Sequence, residues 1–167
     1  HFAAFSDMMH RTAPWDAVWH LPAMSVGVRT QADKLSEIAF LPLHTAERAP
    51  RNGLAAKVIQ QLERYQLDPD APFDLPLAEA GTVFRRRVWA CIASTPRGRT
   101  QTYGEIARAL RSSARAVGQA CGDNPYPIVI PCHRVVSAQG LGGFAHQANG
   151  ALIEAKRWLL AHEGVHH

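Results

Sequence analysis

Between Thr102 and Gly122 the sequence specifies two short helices with almost nothing between them. Thr102-Tyr103-Gly104-Glu105 fits a capping box, in which the threonine oxygen and the glutamate three residues on each satisfy an otherwise unpaired backbone N–H. Tyr103, Ile106, Ala107 and Leu110 then recur at helical spacing and form one apolar stripe. Ser112-Ser113 supplies a turn and a second cap, and a further helix is predicted over about 114–122. Helices this short are marginal alone. Two of them joined by so tight a turn read as a helix-turn-helix.

The second helix has two unlike faces. At ~100° per residue, Ala116, Val117, Ala120 and Cys121 share the side that can be buried. Arg115, Gly118, Gln119 and Gly122 share the other, where small residues let a foreign backbone come close. Nucleic acid suits such a face; close packing on another helix, with Arg115 at the rim, is the alternative.

The charge distribution favours nucleic acid. Residues 1–80 carry 7 basic and 10 acidic side chains, whereas residues 81–167 carry 11 and 4. From Arg85 to Arg115, eight arginines (85, 86, 87, 97, 99, 108, 111 and 115) face one acid, Glu105. Such a block reads as a polyanion-binding surface rather than a merely solvated basic face. With 47% hydrophobic residues in 167, the composition argues against disorder and affords a sizeable core. No apolar run approaches the ~20 residues of a membrane span, and no leader is visible, although the chain starts without Met. Three cysteines without regular spacing argue against a secreted disulfide framework and for a reducing compartment.

The first half has a different texture. Residues 23–30 and 35–43 read as short strands and 54–66 as a helix after Gly53. Pro69, Pro72 and Pro76 then forbid a regular helix, which places an inter-domain linker there. The second half opens with a helix at about 82–94. The expected fold class is α/β (α+β): a strand-plus-helix domain over 1–80, then a mainly helical domain over 81–167.

Residues 128–136 read IVIPCHRVV, an apolar β-rich run interrupted by four residues of a different kind. Pro131 forces Ile130 into an extended conformation and removes a ladder donor, so a strand should end at a bend presenting Cys132. Free cysteines are most often small buried hydrophobes. Here His133 and Arg134 flank the thiol, and cationic neighbours lower a thiol's pKa.

Pro131-Cys132-His133-Arg134-Val135 resembles the active-site motif of the O6-alkylguanine-DNA alkyltransferases, the methylated-DNA–protein-cysteine methyltransferases. The resemblance covers the whole second half, through TYGEIARAL, ARAVGQACGDNPYPIVIPCHRVV, GLGGFA and KRWLLAHEG in that order. The first half is similar only in size and in its strand-plus-helix character.

The resemblance implies a repair protein that flips O6-alkylguanine out of double-stranded DNA. The alkyl group passes irreversibly to Cys132 in a single turnover, with O4-alkylthymine left open as a second substrate. Cys132 would be the acceptor. His133 would take the thiol proton through water, and Glu163 would hold and polarise His133. Glu163 also draws attention by itself, because a carboxylate just before Gly164, at a helix C-terminus, is electrostatically disfavoured. Tyr103 would donate its hydroxyl proton near guanine N3. Asn124 would link the recognition helix to the active-site segment. Arg115 would replace the extruded nucleotide, with Gly118 and Gln119 beside it in the minor groove; Thr102 and Arg134 complete the expected DNA contacts. Val135, Gly142, Gly143, Phe144 and Ala145 would line the guanine pocket, with Lys156 from the last helix. Phe144 stands where some members carry Tyr.

No cofactor is implied, and no metal: no cysteine precedes Cys91, and His1, His10, His20 and His44 show no zinc spacing. Cys91 and Cys121 read as inert core thiols. The expected setting is a monomer away from membranes, in a bacterial cytoplasm or a eukaryotic nucleus. Competing readings fit less well. A cysteine hydrolase leaves the arginine-rich helices unexplained. A non-catalytic lesion-binding relative would lack this cysteine. A self-methylated transcriptional activator would need a further cysteine-bearing module.

Overall fold

The computed structural model describes residues 14–142 and 150–165. Three antiparallel strands, β1 (Ala17–His20), β2 (Ser25–Gln31) and β3 (Lys34–Leu41), lie side by side in chain order. β1, four residues long, is too short for alternation to mark it along the chain. Helix α1 (Gly53–Leu67) starts where Asn52 accepts the Ala55 N–H at 2.8 Å. Ala55, Val58, Leu62 and Tyr65 form its buried stripe, which lies against the sheet.

The proline-spaced segment is irregular, as its prolines require, but it is fastened to the sheet. Leu35 donates to Pro76 O at 2.7 Å, and Ala78 donates back to Leu35 O at 2.8 Å. The backbone of Ile38 likewise donates to Pro125 O at 2.9 Å. One hydrophobic core runs from Val26 and Leu35 through Val88 to Leu159, across both halves of the sequence.

Four helices build the rest: α2 (Val83–Ala93), α3 (Tyr103–Leu110), α4 (Ala114–Gly122) and α5 (Ala151–His162). The capping box of α3 is formed, with Thr102 and Glu105 each satisfying the other's backbone N–H. Ser113 caps α4. The turn between them is closed by Arg111 in the left-handed region (φ 55°), and Ser112 donates to Ala107 O at 2.8 Å. Trp89 on α2 donates to Ala120 O at 2.8 Å and fixes α4 from behind.

The apolar run before Cys132 is not a strand. Pro127 and Pro131 each lack an N–H, so Ile128–Ile130 forms a turn in which Ile130 donates to Tyr126 O at 2.8 Å. Cys132–Arg134 is one 3₁₀ turn, and only β5 (Val135–Val136) is extended, pairing in parallel with β4 (Gln101–Thr102). Ile128 sits at φ 76° with its side chain buried. A β-branched residue there costs on the order of 1–3 kcal/mol, so the surrounding packing imposes this turn. Among the described residues no helix is long and apolar enough to cross a membrane.

Candidate active site

Cys132 opens the 3₁₀ turn and is only 3% exposed. Its Sγ accepts from Asn124 Nδ2 at 3.2 Å. The same amide donates to Ile130 O at 2.9 Å, and Asn124 Oδ1 accepts the Tyr126 N–H at 2.8 Å. Asn124 lies two residues beyond the end of α4, so one side chain joins that end of the helix to the thiol.

His133 and Glu163 are both buried, at 0% and 1% exposure. His133 Nε2 and Glu163 Oε2 lie 2.8 Å apart. Glu163 holds its place through the end of α5. Gly164 adopts φ 90°, its N–H meets Ala161 O at 3.0 Å, and Val165 donates to Leu160 O at 2.8 Å. This is a Schellman ending that leaves the Glu163 side chain directed inward. Burial disfavours its charge, yet hydrogen bonds from His133 and Arg134, with a further one from Tyr65, pull its carboxyl down to about 2. An ionised Glu163 makes His133 Nε2 the protonated nitrogen. The lone pair then sits on Nδ1, a buried atom with no partner among the described residues. Burial lowers the His133 pKa, so the ring is neutral near pH 7 and its Nδ1 is free to accept a proton.

Three expectations change here. Arg134 does not face outward. It donates from Nε to Glu163 Oε1 at 2.8 Å, from Nη2 to Oε2 at 3.0 Å and from Nη1 to Thr95 O at 2.6 Å. Its planar fork matches the buried carboxylate, so its guanidinium is committed inside the protein rather than to a phosphate. Nor is the Cys132 thiol lowered by its neighbours, because His133 is neutral and Arg134 is spent on Glu163. A hydrogen bond with Cys121 and burial push it well above its ordinary value, against the Asn124 amide and the Lys156 ammonium. Finally, Cys121 is not merely core. It is half-buried and shares with Cys132 a cavity of about 140 Å³, also lined by Phe40, Asn124, Pro127 and Leu152.

Tyr103 packs against the core with its ring half-buried, and burial raises its hydroxyl pKa, so the hydroxyl stays protonated at neutral pH. Gly142 lies against that ring: at φ 77°, a Cβ there would meet Tyr103 Cε2 at 3.0 Å. Lys156 is fully buried, donates from Nζ to Val135 O at 2.7 Å and lies 5.8 Å over the Tyr103 ring. Burial lowers it to about 8. Val135 is buried beside it. Gly143, Phe144 and Ala145 lie outside the described residues, as do His1 and His10.

On α4 the outward face is as expected except at Gly122, which lines the cavity shared by Cys121 and Cys132. Arg115 and Gln119 are exposed, and a Cβ at Gly118 would meet nothing within 4 Å. The protein's own packing therefore does not require a glycine there. The arginine block is smaller than the sequence implied. Arg85 pairs with Asp123 at 2.6 Å, Arg86 with Glu79 at 3.4 Å and Arg97 with Asp70 at 2.6 Å. Arg87, Arg99, Arg108, Arg111 and Arg115 stay exposed and unpaired among the described residues. Thr102 Oγ1 is taken by the capping bond from Glu105 N at 3.1 Å.

Sequence reasoning missed Tyr65, whose hydroxyl donates to Glu163 Oε2 at 2.6 Å. The partners are 98 residues apart, and no local pattern marks them.

Comparison with known proteins points the same way. The profile described as the DNA binding domain of 6-O-methylguanine DNA methyltransferase matches residues 83–165. The chain is 42% identical over 114 residues to the methylated-DNA–protein-cysteine methyltransferase of Mycolicibacterium paratuberculosis, covering 66% of each chain. It is 45% identical over 109 residues to that of Thermococcus gammatolerans, covering 65% of this chain and 57% of the relative. The matches thus span less than two thirds of these relatives' length. The structure of Mycobacterium tuberculosis OGT in complex with DNA aligns with a TM-score of 0.71 at 33% identity, over 88% of this chain and 91% of that one. This likeness reaches into the first half, which the sequence motifs did not cover.

Proposed function

Since the chain belongs to the O6-methylguanine DNA methyltransferase family, we propose that it repairs alkylated DNA by moving the alkyl group from guanine O6 to Cys132. The observation that carries this reading is the buried thiol held by Asn124 at 3.2 Å in the turn that also holds the His133–Glu163 pair. The thiol loses its proton as it reacts, and His133, whose buried Nδ1 has no partner among the described residues, would receive it through a bridging water. The S–C bond forms as the C–O6 bond breaks, and Tyr103 returns a proton to the departing guanine. A thioether has no leaving thiolate and no regenerating group is part of the reaction, so each molecule acts once.

Incubation with a duplex containing O6-methylguanine should add one methyl mass to the intact protein, mapped to Cys132, and saturate at one per molecule. Several turnovers, or a methyl group on another residue, would refute the reading.

The exposed Arg115 beside Gly118 is proposed to fill the space left by the flipped nucleotide. Flipping costs a few kcal/mol, and each 1.4 kcal/mol is about tenfold. Arg115→Ala should therefore slow transfer from duplex DNA by ten- to a hundredfold, while transfer from free O6-benzylguanine changes little. Single-turnover rates at saturating protein separate the two. Equal losses on both substrates would assign Arg115 a structural role.

A further inference from the structure

The Glu163 carboxylate accepts four hydrogen bonds, and three of them converge on Oε2: from His133 Nε2 at 2.8 Å, Arg134 Nη2 at 3.0 Å and Tyr65 Oη at 2.6 Å. His133 and Arg134 belong to the active-site turn. Tyr65 comes from the far end of α1, in the other half of the sequence. It is 2% exposed, tilted against Phe73 with ring centroids 5.6 Å apart and edge-on to His162 at 5.1 Å. Its own carbonyl accepts from His162 Nε2 at 2.8 Å. Packing alone would be served by phenylalanine. The hydroxyl adds a fourth donor to a carboxylate that His133 and Arg134 already engage with three.

The backbone of Glu163 is braced from the same side. Arg97 Nη1 donates to Glu163 O at 3.0 Å while its Nε and Nη2 clasp Asp70 at 2.6 and 2.9 Å. Segment 65–70 thus reaches Glu163 through both its carboxylate and its carbonyl.

We infer that Tyr65 is a positioning residue for the alkyl transfer proposed above: by donating to Oε2 it competes with His133 for the same oxygen and lowers the proton affinity of the imidazole. A hydrogen bond to a carboxylate draws off charge that would otherwise stabilise the imidazolium. The charged groups facing His133 are Glu163 and Lys156 from the last helix and Arg134 from its own turn. Tyr65 acts from α1, through Glu163. Burial first, and then the Glu163 charge, raise its hydroxyl far above the ordinary tyrosine value, so it stays a donor at every working pH. Without that bond His133 protonates more readily, and less of it is available as a base below neutral pH.

The test is Tyr65→Phe, which keeps the ring, assayed by single-turnover transfer from O6-methylguanine duplex across pH 5 to 9. The acid limb of the rate profile should move up by about half to one unit, roughly three- to tenfold slower at the foot of that limb. Duplex affinity should be unchanged. The 15N-imidazole titration of His133 in the DNA-free protein should move in the same direction. 3-Fluorotyrosine introduced at position 65, a stronger donor of nearly the same shape, should move both the opposite way, and it serves if Tyr65→Phe does not fold. A uniform rate loss at all pH values, or an unchanged His133 titration in both variants, would overturn the inference. If wild-type protein transfers no alkyl group, the proposed function falls, and the His133 titration still decides the role of Tyr65.

Discussion

Cys132→Ala is expected to abolish alkyl transfer entirely while duplex binding changes by less than about threefold, because a single buried thiol adds nothing to phosphate contacts. The loss should be complete because Cys132 is the thiol that Asn124 holds in the turn carrying His133. Cys121 is the decisive control. It lines the same cavity as Cys132, whereas Cys91 lies on α2. Intact mass after incubation with O6-methylguanine duplex measures transfer, and fluorescence anisotropy measures binding. A stoichiometric methyl group appearing on Cys121 in the mutant would move the acceptor role to the pair of thiols.

Glu163→Ala should be the most destabilising single change in the site. It removes the acceptor of four hydrogen bonds and leaves the Arg134 guanidinium unpaired in an interior where its own side chain is only 13% exposed. Breaking a buried ion pair from one side costs about 3–5 kcal/mol. Wild-type stability should carry the signature of the same carboxylate. Its pKa is about 2 when folded, against 4.5 for the unperturbed group. A depressed folded pKa means that the unfolded chain binds the proton more tightly. The contribution, about 3 kcal/mol, is therefore full above pH 4.5 and fades as pH falls toward 2. His133 adds to the loss from higher pH: its folded pKa is lowered, so below about 6.5 protonation favours the unfolded chain. Urea melts from pH 7 to 3 measure this. Stability independent of pH over that range, or Glu163→Ala costing less than about 1 kcal/mol, would contradict the geometry.

Much of the second half was legible because its instructions are local. The capping box, the stripe on α3, the Ser113 cap and the two faces of α4 all depend on residues three or four positions apart, and each formed where the spacing placed it. In the first half the paired strands and α1 were readable for the same reason, while β1 was not. The strand expected before Cys132 failed through a conflict of signals. Ile-Val-Ile favours extension, but prolines on both sides remove the donors a ladder needs, and the turn won at the cost of a strained Ile128.

The sequence by itself determined the helix-turn-helix, because capping and periodicity act over a few residues. Cys132 as the candidate nucleophile and Glu163 as the candidate partner of His133 are what the resemblance to the alkyltransferases implies. Only the tertiary structure decided what those residues meet. It turned Arg134 inward onto Glu163, 29 residues away, set Cys121 beside Cys132, and brought Tyr65 across 98 residues to the same carboxylate. The physical reason is that a buried charge is costly unless it is hydrogen-bonded and paired. Which side chains pair with it depends on the elements that pack around it, which the local spacing along the chain does not specify.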